Sequence, residues 1–181
     1  MKPRKVYILR LNHRPKRDKR VTTHLFLAAR ALGATGGFYS GEEDEKVQMS
    51  IEKVSRSWGG DFKVSYVQNW AKKITEWKRM GGKVIHLTMY GLPLMQVIDH
   101  IRSLKEPLLI VVGGAKVPGR VYEMADYNVS VTSQPHSEIS ALALFLHELF
   151  EGEELSISFD DAKLRIVPQE RGKMVLRLND K

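Results

Sequence analysis

The sequence predicts an α/β protein: a parallel sheet with helices on both faces, followed by a short antiparallel β appendage. Three observations carry that expectation. Leu108–Val112 is five aliphatic residues in a row, followed at once by Gly113 and Gly114, the pattern of a strand covered on both faces. Short apolar runs alternate with segments whose apolar residues recur at helical spacing, and glycines close several of them, as in layered α/β folds. After Gly152 the spacing changes to short alternating runs joined by turn residues, which suits small antiparallel strands. The expected division is therefore 1–152 for the α/β domain and 153–181 for the appendage.

Taken in order, Lys5–Leu11 reads as the first strand. Residues 12–24, NHRPKRDKRVTTH, follow as a basic loop in which Arg14, Lys16, Arg17, Lys19 and Arg20 meet one acid, Asp18. Pro15 is expected to keep the start of this loop out of a helix. A helix should then run from about Arg20 to Leu32, with Val21, Leu25, Ala28, Ala29 and Leu32 on one face and Gly33 as its stop. Gly36–Tyr39 is a second strand. The acids Glu42–Glu45 precede a helix that turns Val47, Ile51, Val54 and Trp58 inward. They complement the helix dipole and are not read as catalytic or metal-binding. Lys63–Val67 is the third strand, followed by a helix with Trp70, Ile74 and Trp77 inward; its Lys72, Lys73, Lys78 and Arg79 are read as a solvated face in preference to an auxiliary nucleic-acid surface.

Lys83–Thr88 is the fourth strand. It ends in Met89-Tyr90-Gly91-Leu92-Pro93, ahead of a helix that buries Leu94, Val97, Ile98 and Ile101. His86, inside this strand, is expected to be packed and hydrogen-bonded. After Leu108–Val112 and its glycine turn come a short helix, a strand at Tyr127–Val131, and a polar turn. The last helix should run from about His136 to Phe150, with Pro135 at its start and His147 in a structural role. Leu155–Phe159, Lys163–Val167 and Met174–Leu178 are the expected appendage strands.

Bulk properties narrow the function. The formal charge of +8, clustered in the first loop, favours a polyanionic partner such as nucleic acid. The absence of cysteine excludes disulfides and thiolate metal sites, and no metal is expected. No apolar run approaches membrane-spanning length, and the basic N-terminus does not read as a signal peptide. A cytoplasmic protein with no membrane partner is expected.

In a parallel sheet, ligands sit beyond the carboxyl ends of strands. Leu108–Glu138 supplies two such ends in succession, and both run into helix starts whose free N–H groups favour polar or anionic groups. Gly114-Ala-Lys-Val-Pro-Gly119-Arg120-Val121 carries the glycine spacing of a P-loop. However, Arg120 stands where lysine should reach the phosphates, and Val121 where a hydroxyl should bind magnesium. Pro118 also removes a backbone donor. A dinucleotide fingerprint is absent, as are a zinc-binding H-x-x-x-H helix and a G-x-S-x-G elbow. His136, Ser137 and Glu138 are adjacent, but neighbouring side chains on a helix point apart.

Three stretches, NHRPKRDKRVTTH, VVGGAKVPG and NVSVTSQPHSEISALALFLHE, together resemble the SPOUT methyltransferases, most closely the archaeal tRNA cytidine 2′-O-methyltransferases that modify the T-loop. The resemblance spans nearly the whole chain. It implies a C-terminal part of the α/β domain tied in a trefoil knot, S-adenosylmethionine (AdoMet) as cofactor, tRNA as partner, and a homodimer. It places AdoMet against Leu87 and Thr88; against Val112, Gly113, Gly114, Ala115, Lys116 and Val117; and against Ser130, Val131, Thr132, Ser133, Gln134, Pro135, His136 and Ser137. In the family an arginine of the first motif is held to activate the ribose hydroxyl. This chain offers Leu27 where that residue would most simply align, so Arg20, at the helix start, is the catalytic candidate, with Arg14, Arg17 and Lys19 as RNA contacts. Two alternatives remain at this level: a non-catalytic RNA-binding module, and a nucleotide-binding enzyme with a degenerate P-loop.

Overall fold

In the computed structural model, which describes residues 4–18, 20–114 and 116–178, six parallel strands alternate with helices. The order is β1 (Val6–His13), α1 (Pro15–Asp18), α2 (Val21–Ala31), β2 (Gly36–Gly41), α3 (Glu45–Trp58), β3 (Lys63–Tyr66), α4 (Trp70–Arg79), β4 (Lys83–Pro93), α5 (Leu94–Ser103), β5 (Leu108–Val112), α6 (Gly119–Met124), β6 (Tyr127–Ser130) and α7 (Glu138–Phe150). A 3₁₀ turn (Glu153–Ser156) leads to an antiparallel pair, β7 (Leu164–Val167) and β8 (Met174–Arg177).

The sheet runs β3-β2-β1-β5-β4-β6. β5 is inserted between β1 and β4, with Leu108 paired to Val6 on one side and to Lys83 on the other. All five of its residues are buried, which explains the unbroken aliphatic run. Leu108, Ile110 and Val112 join a core with Leu25 and Phe26 of α2, Ile51 of α3, Ile98 of α5 and Leu142 and Phe145 of α7. Leu109 and Val111 join the opposite core with Ile74 and Trp77 of α4 and Val121 of α6. The alternation follows from the two-residue period of a strand.

Several elements differ from expectation. Pro15 opens the short helix α1 instead of excluding one; its missing N–H costs nothing at a first helical position. Trp58 and Val54 are half-buried, not core, because α3 ends beside the tail and not under the sheet centre. α7 begins two residues late. Ser137 is extended and its hydroxyl accepts from Ile139 N at 3.1 Å, so Pro135 and His136 stay in the preceding loop. Leu155–Phe159 forms no strand. Glu154, 3% exposed, lies 2.7 Å from His147 Nδ1 and turns the chain back against α7. Phe159 then packs under the Arg30 guanidinium, and Asp161 accepts from Gly60 N.

The largest difference is in β4, which extends to Pro93. Leu87 and Leu92 both pair with Val129, so residues 88–91 bulge out between them. Gly91 lies so close to β6 that a Cβ there would meet the Asn128–Val129 backbone at 2.5 Å.

Candidate functional site

β5, β4 and β6 are neighbours in the sheet, and their carboxyl ends open into one cavity of about 400 Å³. Leu87 and Thr88 come from β4. Val112, Gly113, Gly114 and Val117 come from β5 and its turn. Val131, Pro135 and His136 come from the loop before α7. The late start of α7 is what leaves that loop extended beside the cavity. Gly113 fits tightly, since a Cβ there would meet Val117 Cγ2 at 2.2 Å.

The remaining residues named above lie elsewhere. Ser130 is buried in the sheet opposite Pro93. Thr132, Ser133, Gln134 and Ser137 are exposed in the same loop but do not line the cavity. Thr132 Oγ1 accepts from Gln134 N, and Ser137 is the cap of α7. Lys116 is exposed, and its carbonyl accepts from Asn12 Nδ2 at 3.3 Å. Ala115 and Lys19 lie outside the described residues.

The structure adds His86, Met89, Tyr90, Tyr122, Glu138 and Ala141 to the lining. Tyr90 follows an expected strand end, so that rule alone was a signal for it. Tyr122, on α6, places its hydroxyl 3.0 Å from Thr88 Oγ1. Glu138 Oε1 lies 3.3 Å from Nη2 of Arg10, a β1 residue only 2% exposed. A charge in the middle of the run KVYILRL must find a counter-charge if it is buried, and that was the legible sign of Arg10.

His86 is fully buried, with Nδ1 2.9 Å from Asn128 Oδ1 and its ring edge-on to Tyr122 at 4.6 Å. Burial pushes its pKa down, and the Asn128 hydrogen bond opposes this in part. The folded protein therefore holds a neutral imidazole behind the cavity. As pH falls below the ordinary histidine value near 6.5, the unfolded chain takes up a proton that the folded chain refuses. Stability then declines with falling pH until the folded value is reached. Melting temperatures measured between pH 7.5 and 5.5 should show this slope in the wild type, and His86→Gln should flatten it.

The basic loop leaves the sheet beside the cavity. Asn12 adopts a left-handed φ of 54°, and its side chain ties the loop to the β5 turn through Lys116. His13 is fully buried, with Nδ1 2.8 Å from Thr22 Oγ1 and Nε2 3.5 Å from Asp44 Oδ2. That cluster pins both ends of the loop. Arg14, Arg17 and Arg20 remain exposed, and Arg20 occupies the cap position of α2 without a capping side-chain bond. None of the three lines the cavity. Arg120 does not line it either and faces a groove beside α4, which removes the P-loop lysine surrogate from the β5 turn.

A family model described as tRNA ribose 2′-O-methyltransferase, aTrm56, matches residues 58–176. The tRNA (cytidine(56)-2′-O)-methyltransferase of Methanothermobacter thermautotrophicus is 54% identical over 175 residues, covering 97% of this chain and 98% of the relative. This chain belongs to the aTrm56 family of tRNA ribose 2′-O-methyltransferases. Its Methanopyrus kandleri relative, with the same description, is 54% identical over 178 residues, 98% of this chain and 99% of that one. Among solved structures, the SpoU methyltransferase AviRb of Streptomyces viridochromogenes, in complex with AdoMet, superposes with a TM-score of 0.59 at 17% identity. The match covers 82% of this chain and 57% of that one. The aTrm56-family chain thus shares the SPOUT fold. No helix among its described residues is long and apolar enough to cross a membrane.

Proposed function

We propose that this chain transfers the methyl group of AdoMet to the ribose 2′-oxygen of cytidine 56 in the T-loop of tRNA. The observation that carries this is the joining of two half-sites, in which Asn12 ties the arginine loop to the turn of a three-strand-end cavity.

The cavity suits the cofactor. Leu87, Val112, Val131 and Ala141 provide apolar surface, and the glycine turn brings backbone groups close, a combination that accommodates a flat heterocycle. Glu138, its carboxylate held against buried Arg10, adds a polar group to the wall. Bound there, AdoMet supplies a sulfonium-activated methyl group. The chain's own contribution is to hold the hydroxyl in line, which accounts for much of such a rate, and to ease the loss of its proton. Arginine is a poor base because guanidinium holds its proton tightly. Arg20 accordingly orients a phosphate or stabilises the developing oxyanion, while Arg14, Arg17 and Lys19 hold RNA phosphates.

Arg20 does not line the cavity of its own chain. A homodimer in which the loop of one subunit approaches the cavity of its partner brings the two together. The close pass of Gly91 over β6 supports a knotted crossing at residues 88–93. The expected division assigns 153–181 to an appendage on the catalytic domain, of which residues 153–178 are described, and a cytoplasmic site of action suits a tRNA substrate.

Calorimetric titration with AdoMet, ATP and NAD tests the reading. Saturable heat is expected with AdoMet alone. Heat on ATP addition and none with AdoMet would overturn it, and tRNA binding without any AdoMet affinity would favour a non-catalytic RNA module.

A further inference from the structure

We propose that the groove between α4 and α6 is a second contact surface for the phosphate backbone of the substrate tRNA. This rests on the tRNA reading above. The groove, about 320 Å³, is lined by Lys72 and Arg79 of α4 and Arg120 of α6, with Glu76 as its acid.

The cations of α4 divide into two sets. Lys73 Nζ sits 4.0 Å above the Phe38 ring, and Lys78 Nζ lies 3.0 Å from both Asp126 Oδ1 and the Met124 carbonyl. Both are occupied in holding the helix to the sheet and to α6. Lys72, Arg79 and Arg120 are exposed, and among the described residues none of the three carries an ion pair. Glu76 also lies 4.0 Å from Lys73, so one acid, shared with Lys73, faces three cations in the groove. Exposed cations held on two packed helices form a fixed electrostatic track for a polyanion.

Position makes the partner the tRNA and not an unrelated anion. Arg120 stands two residues before Tyr122, a wall of the cofactor cavity, and Lys116 is exposed in the turn that leads into α6. Lys72, Arg79 and Arg120 thus share one groove on the sheet face opposite α2 and α3, joined through α6 to a wall of the cofactor cavity. The comparable groove on α3 carries Lys46, Lys53 and Arg56. There Glu52 lies 3.3 Å from Arg56, and the acidic run Glu42–Glu45 is close in sequence. That face is less suited to RNA.

The test compares two triple variants that each remove three positive charges: K72A/R79A/R120A in the α4–α6 groove and K46A/K53A/R56A on α3. Binding of unmodified tRNA is followed by filter retention across a salt series, with melting temperature and AdoMet affinity as folding controls. The groove variant should lose about ten-fold or more in tRNA affinity, and its salt slope should fall by roughly two to three. The α3 variant should stay within about two-fold of wild type. R79K/R120K, which keeps the charge, should also bind within about two-fold, because sequence-independent backbone binding follows the number of positive charges. Equal losses in both triple variants, or none in the groove variant, would overturn the proposal. Failure of the wild-type protein to bind tRNA would instead overturn the assignment of the substrate.

Discussion

Replacing Gly91 with alanine should cost about 3 kcal/mol of stability and weaken AdoMet binding severely. The added methyl would stand 2.5 Å from the backbone of Asn128 and Val129. No side chain there can rotate away, so β4 and β6 must separate. Both strands end in the cavity, and residues 87–90 and 131 line it. For a chain of this size the expected fall in melting temperature is roughly 6–12 °C. Gly119→Ala provides the control. A Cβ there meets nothing within 4 Å, and alanine at the start of α6 should be neutral or slightly stabilising. An unchanged melting temperature for Gly91→Ala would show that the strands do not cross as closely as described.

Arg20→Ala should lower kcat by about 100-fold, the scale of losing one charged stabiliser of a developing oxyanion. AdoMet affinity should not change, because Arg20 does not line the cavity. Arg14→Ala and Arg17→Ala should instead raise KM for tRNA with a smaller effect on kcat, as expected for phosphate contacts. Normal turnover in Arg20→Ala would move the catalytic role to another residue of the loop.

Much of the fold was legible because helices and strands imprint their own periods. Leu108–Val112 announced a strand buried on both faces, and Gly33 marked the end of α2. The exceptions share a cause. Ser137 rather than Pro135 starts α7, Glu154 curls the chain where Leu155–Phe159 looked like a strand, and β4 runs on through a bulge. Each outcome depends on a partner distant in sequence or on a single cap, and local spacing carries little information about either.

The candidate site divides in the same way. Loops at strand ends could be named from sequence, and nine of the expected residues line one cavity. His86, Tyr122, Glu138 and Arg10 could not be assembled there in advance. Their meeting depends on β5 entering between β1 and β4, a non-local arrangement. His86 was expected to be packed and hydrogen-bonded, and it is, but the same ring also backs the cavity. Arg10 was passed over as one residue of a strand, although its buried charge demanded a partner.

Incubating the protein with methyl-labelled AdoMet and unmodified tRNA, then mapping the labelled nucleotide, tests the assigned activity most directly. A single 2′-O-methyl group on cytidine 56 is expected. Label on a base, on another ribose, or on no nucleotide despite AdoMet binding would contradict it.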